Sequence, residues 1–122
     1  MLTHTIPNDL DPHTPFIIVT LSNVIKLTSQ NYLSWKLQIK ATLEGYSLFH
    51  YLDGSFPAPP STIVTDIVPT SNPAYLTWAR RDRFLFGAII GTLDQNIVPL
   101  IFLTTTTQQL WGTLAQTLAS SS

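Results

Sequence analysis

Residues 31–44 read NYLSWKLQIKATLE, and their spacing sets the fold class. Tyr32, Trp35 or Lys36, Ile39 and Leu43 fall on one stripe of an α-helix, with Leu33 and Leu37 flanking it. Thr28 and Ser29 stand just upstream, with hydroxyls able to accept the free N–H groups of a helix start. Gly45 offers a C-terminal stop.

Downstream, YSLFHYLDG (46–54) reads as a short second helix or turn ended by Asp53 and Gly54. From Ser55 to Pro73 there are five prolines, at 57, 59, 60, 69 and 73, so the segment is expected to be an exposed Pro-rich loop rather than an element. Asn72 and Pro73 suit an N-cap and first-turn pair. After them Tyr75, Trp78, Leu85, Ile89 and Leu93 recur at helical spacing. The later half of that helix (Phe84, Leu85, Phe86, Ala88, Ile89, Ile90) is apolar all round, which demands enclosure and makes it the expected centre of the molecule. Gly87 and Gly91 have the small-xxx-small spacing of a tight helix crossing inside the core. QNIVPLIFL reads as a short helix or turn kinked at Pro99. Thr107 is placed to cap a last helix whose inner stripe is Leu110, Trp111, Leu114 and Leu118.

Upstream, FIIVTLSNVIKL (16–27) is rich in β-branched residues and predicts one or two short strands or an extended lead-in. Residues 1–15 are polar and aperiodic, a flexible arm. The chain is therefore expected to be mainly α: a small bundle of about four to five helices with a short extended or β-ribbon lead-in and a long Pro-rich loop at 55–73. One domain, 16–122, is expected, truncated at its C-terminus.

Composition narrows the function. Charged residues are 11% of the 122, against about a quarter in soluble domains, while 44% are hydrophobic. Part of the apolar surface is thus expected to be covered by a partner or by further chain. The net charge is -1, and Lys26, Lys36, Lys40, Arg80, Arg81 and Arg83 form no long basic run, which argues against strong autonomous nucleic-acid binding. There is no cysteine, which excludes disulfides, thiol nucleophiles and a zinc knuckle. His4, His13 and His50 are too scattered for a metal site or a triad. Asp9 and Asp11 lie in the arm, where nothing would shift their pKa values. Asp82 sits on the inner side of its helix and needs a partner, expected to be Lys36, Lys40 or a neighbouring arginine. Arg80, Arg81 and Arg83 read first as a solvated face and second as a weak RNA contact. PAPP (57–60) lacks a basic anchor and reads as a stiff linker. Phe84–Leu103 is broken by Asp94, Gln95, Asn96 and Pro99, so no membrane span is expected. The N-terminus lacks the layout of a secretory signal, which points to an intracellular, cytoplasmic protein. No catalytic residue, cofactor, metal or small-molecule substrate is expected.

Several motifs occur in a telling order. Leu27, Asn31, Tyr32 and Trp35 form Leu-x-x-x-Asn-Tyr-x-x-Trp. Leu52, Asp53 and Gly54 are followed by Pro57, Pro59 and Pro60. Asn72, Pro73, Tyr75, Trp78 and Asp82 form Asn-Pro-x-Tyr-x-x-Trp-x-x-x-Asp, and Thr105, Thr107, Trp111 and Leu114 close the series. Over roughly residues 20–122 the chain resembles the N-terminal Gag region of plant copia-type retrotransposons. The resemblance implies a helical, non-catalytic assembly module whose Trp and Tyr residues are core anchors. Its implied partners are further Gag subunits or its own copies, with RNA contact weak or indirect because the zinc knuckle is absent. The alternatives are a domesticated host adaptor binding a cellular protein, or a weak RNA-binding fragment.

Overall fold

A computed structural model describes residues 20–119; the predicted arm at 1–15 and the first residues of the predicted lead-in lie outside them. The order of elements is α1 (Tyr32–Gly45), α2 (His50–Asp53), β1 (Thr62–Thr65), β2 (Val68–Ser71), α3 (Pro73–Ile90), a 3-10 turn (Val98–Ile101) and α4 (Thr107–Leu118). The mainly helical character expected from the sequence is present.

Helix α1 forms where its stripe requires it. Tyr32, Trp35, Ile39 and Leu43 are buried, while Leu33 and Leu37 face solvent at 58% and 68% exposure. Its start is not made by Thr28 or Ser29. Asn31 is the residue before the first turn, and its side chain works backwards instead: Oδ1 accepts from the Thr28 N–H at 2.8 Å and Nδ2 donates to the Lys26 carbonyl at 2.8 Å. The lead-in is thereby fastened to α1. Within residues 20–27 the predicted strands reduce to one isolated parallel bridge, Leu27 with Leu93, built from Leu27 N–H to Thr92 O at 2.8 Å and Asp94 N–H to Leu27 O at 2.9 Å.

The Pro-rich segment contains an element that was not expected. Thr62–Thr65 and Val68–Ser71 pair antiparallel, Thr65 opposite Val68, around a two-residue turn. Asp66 and Ile67 in that turn have φ of 52° and 65°, the left-handed pair that matches the twist of a two-residue hairpin. All eight strand residues are exposed.

Helix α3 begins as read: the Asn72 side chain accepts from the Ala74 N–H, and Pro73 occupies the first turn. Its enclosure is only partial. Leu85, Phe86 and Ile89 are buried, but Phe84 is 57% exposed, because a helix packed chiefly along one side leaves its far side wet whatever residues lie there. Gly87 has open space around it and Gly91 meets only helix backbone, so this pair marks no tight crossing. The centre is α4, which packs against α2, α3 and the 3-10 turn. Leu110, Trp111, Leu114 and Leu118 are all buried. The cap of α4 is Thr106, one residue before the expected Thr107; its hydroxyl accepts from the Gln109 N–H at 3.2 Å.

Candidate interaction surface

Many of the residues singled out by motif are buried or partly buried joints between elements. Trp35 lies against Tyr32 and Trp111, with ring centroids 6.2 and 5.6 Å away. Its indole N–H donates to the Thr92 hydroxyl at 3.0 Å, which in turn donates to Ile89 O at 2.6 Å. The large aromatic body is buried while its one polar atom is satisfied at the end of α3. Trp78 does the same for the chain after α2: its indole N–H donates to Phe56 O at 3.0 Å, and its ring lies 5.7 Å from that of Tyr51. Leu27, Leu52 and Leu114 are buried at 0%, 1% and 0% exposure. Tyr75 is half-buried and Pro73 exposed at the start of α3.

Asp53 and Gly54 shape the exit from α2. The Asp53 carboxylate accepts from the Ser55 hydroxyl at 2.6 Å and the Ser55 N–H at 2.9 Å, and these bonds hold its pKa below the usual carboxylate value. Gly54 has φ of 82° and abuts the Gln108 side chain of α4, whose amide a Cβ there would have to push aside.

Asp82 is 2% exposed; of its expected partners the lysines lie elsewhere, while a neighbouring arginine, Arg83, contributes positive charge. The Asp82 carboxylate accepts from the Thr107 N–H, at 3.2 Å to Oδ1 and 3.4 Å to Oδ2, and the Thr107 hydroxyl donates to Asp82 O at 3.0 Å. Thr107 N–H is among the first donors of α4, which have no partner inside the helix, so an anion from α3 serves them. Burial pushes the Asp82 carboxyl above its ordinary pKa, against the hydrogen bonds from Thr107 and the positive charge of Arg83. Lys36 and Lys40 sit instead over the rings of Tyr32 and Phe49, each at 5.9 Å.

The arginines are not one face. Arg80 is exposed and Arg81 is buried, while Arg83 donates to Thr105 O and lies 4.6 Å over the Phe86 ring. Among the described residues there is no group of three or more metal-ligating side chains and no helix long and apolar enough to cross a membrane. The ring of His50 lies against those of Tyr51 and Phe56. A shallow depression of about 450 Å³ runs between Lys26, Ile90, Leu93, Asp94 and Val98; Lys26 reaches across it to the Gly91 carbonyl at the end of α3.

Large apolar side chains, by contrast, stand in solvent. Val64, Ile67 and Val68 of the hairpin are 71%, 92% and 57% exposed, and Phe102 and Leu103 beyond the 3-10 turn are 78% and 89% exposed. Exposed apolar groups gathered on a projecting element mark contact surfaces more often than scattered ones do. The hairpin escaped the sequence reading, although TIVT and VPTS on either side of Asp66–Ile67 carry a β-branched signal. The surrounding prolines, and a turn without glycine, hid it.

Two known proteins are similar to the chain over most of its length. The chain is 44% identical over 110 residues to the retrovirus-related Pol polyprotein from transposon RE2 of Arabidopsis thaliana, and 42% identical over 110 residues to the one from transposon RE1 of the same plant. Each match covers 90% of this chain and 8% of the polyprotein. No family model matches the chain, and no solved structure does. The similarity supports a retrotransposon origin.

Proposed function

We propose that this chain of retrotransposon origin is a Gag-type structural module, which works by associating with copies of itself or with like subunits and catalyses nothing. The observation that carries the reading is the division of labour among its side chains. Polar and aromatic groups of the kind that perform chemistry or recognition, Asp82, Trp35, Trp78 and Arg83, are engaged within the fold. The apolar side chains of the hairpin and of Phe102–Leu103 are not. A surface poor in charge and rich in exposed apolar groups favours contact with another protein. The similarity to polyproteins of plant retrotransposons supports a transposon-derived module, and the motif order from Leu27 to Leu114, which resembles the copia-type Gag region, supports the Gag assignment.

Light scattering coupled to size exclusion, over a hundredfold range of concentration, tests this. The expected outcome is a molar mass that rises with concentration while circular dichroism stays helical. A strictly monomeric, helical chain overturns the self-assembly reading and turns attention to a host-protein partner. An RNA role, by contrast, would show as an affinity that falls steeply with salt.

A further inference from the structure

We propose that the outer edge of β1 is the docking edge for a second copy of the chain, the two β1 strands pairing antiparallel about a two-fold axis at Ile63. This rests on the self-assembly reading above and names its surface. The register fixes which backbone groups face outward. Asn72 N–H donates to Ser61 O at 3.0 Å, and the pairs that follow are Thr62 with Ser71, Ile63 with Thr70, Val64 with Pro69 and Thr65 with Val68. Hydrogen-bonded and non-bonded pairs alternate in an antiparallel ladder, and the pair closing a two-residue turn is bonded. Thr62–Ser71 and Val64–Pro69 are therefore the non-bonded pairs, and their backbone groups point away from the hairpin.

The two edges then differ. On β2 the outward position at Pro69 has no N–H, which blunts that edge. On β1, Thr62 and Val64 each present both an N–H and a carbonyl. Every residue from Pro60 to Ser71 is exposed, so nothing among the described residues covers this edge, and an open edge is a template for another strand.

Charge selects the occupant. TIVT carries none, and the hairpin's charged residue is Asp66 in the turn. Antiparallel self-pairing sends the two copies of Asp66 to opposite ends, so like charges never face each other, and the edge offers nothing to attract a charged segment of another protein. The contact is isologous, the usual geometry of a dimer. Thr62 of each copy exchanges bonds with Val64 of the other, and Ile63 meets its own counterpart on the axis. Ile63, now 41% exposed, and its counterpart share one face of the enlarged sheet and cover each other across the seam. So short an edge makes a weak pair alone, and a stronger one where several contacts act together.

The absence of cysteine gives a clean test. Facing residues of a non-bonded antiparallel pair have Cα atoms about 4.5 Å apart, within disulfide reach. Ile63→Cys is expected to form a covalent dimer under mild oxidation, whereas Ile67→Cys, more exposed but distant from its counterpart in this pairing, is expected to stay monomeric. Val64→Pro removes an outward N–H and leaves the hairpin's own bonds, and Ile63→Lys puts like charges together on the axis. Each is expected to weaken self-association at least tenfold with an unchanged circular dichroism spectrum. If the parent chain gains mass with concentration but cross-links equally at 63 and 67, or associates undiminished in both substituted forms, the β1 edge is overturned and self-assembly moves to another surface. If the parent chain never gains mass and Ile63→Cys never cross-links, both readings fall.

Discussion

The junction of α3 with α4 and the hairpin at 62–71 use their residues in opposite ways. At the junction a buried carboxylate, a helix N-terminus and a threonine hydroxyl satisfy one another, and Leu110 and Leu114 are fully buried beside them. In the hairpin every side chain is exposed and the principal order is the ladder itself. The difference teaches which substitutions the fold feels. Where a group is enclosed, its loss leaves a cavity or an unpaired partner; where it is exposed, its loss changes only what the surface can meet.

The largest expected effect is in the buried set. Trp35→Ala empties the space between Tyr32 and Trp111 and leaves Thr92 without its donor. A cost of about 3–5 kcal/mol is expected for truncating a core tryptophan, enough to unfold much of a marginally stable domain. Thermal or urea unfolding followed by tryptophan fluorescence and circular dichroism checks it. A loss below about 1 kcal/mol would break the contrast at its strongest point.

Next comes Asp82→Ala, which deprives the Thr107 N–H of its acceptor at the start of α4. The expected loss is about 1–3 kcal/mol, the cost of a buried donor left unmade. Asp82→Asn keeps an acceptor and is expected to cost less. The pH dependence follows from the raised pKa. The folded chain holds this proton more tightly than the unfolded chain does, so the residue's contribution to stability increases as pH falls from above the folded value toward the unfolded one. Asp82→Asn should flatten that increase in a series of melts. Asp53 has the opposite sign: its lowered pKa means a contribution present above the unfolded value and lost as pH falls through the folded one. Because Asp53 is exposed, that part should be small.

Gly54→Ala is a smaller perturbation. It forces a side chain onto φ of 82° and against Gln108. About 1 kcal/mol is expected, since left-handed backbone costs an L-residue roughly that much and the Gln108 amide can swing aside. The same melts, with a Gln108→Ala background to remove the clash, separate the two causes.

The buried set was largely legible in the sequence and the exposed one was not, for a physical reason. Tyr32, Trp35, Ile39 and Leu43, and later Leu110, Trp111, Leu114 and Leu118, repeat at the helical period, and a period is a local property that needs no knowledge of neighbours. Asn72–Pro73 announced the start of α3 by cap chemistry alone. What failed depended on which side of a helix the rest of the chain occupies. Phe84 is apolar and exposed while Arg81 is charged and buried, because α4 covers one side of α3 and residue type does not say which. Asp82 was correctly placed inside, with the positive charge of neighbouring Arg83 acting on it, but its hydrogen-bond partner Thr107 lies 25 residues on, beyond any local pattern. The hairpin was missed because prolines argue against strands; Pro69 is tolerated since its position needs no donor within the pair.

The smallest global effect is expected from Ile67→Gly, and it sharpens the comparison most. Ile67 holds φ of 65° at 92% exposure, a left-handed backbone that a β-branched residue adopts at a cost of about 1–2 kcal/mol, with no packing to offset it. Glycine carries no such penalty and, after Asp66, completes the Asp-Gly pair favoured in two-residue hairpin turns. The substitution is therefore expected to slow amide exchange at the bonded positions Ile63, Thr65, Val68 and Thr70 several-fold. The thermal midpoint of the domain should hardly move, since the hairpin shares little enclosed surface with the helices. A rise in global stability equal to the local gain would mean that the hairpin folds as one unit with the core, and the separation between a region that holds the fold and a region free to make contact would be lost.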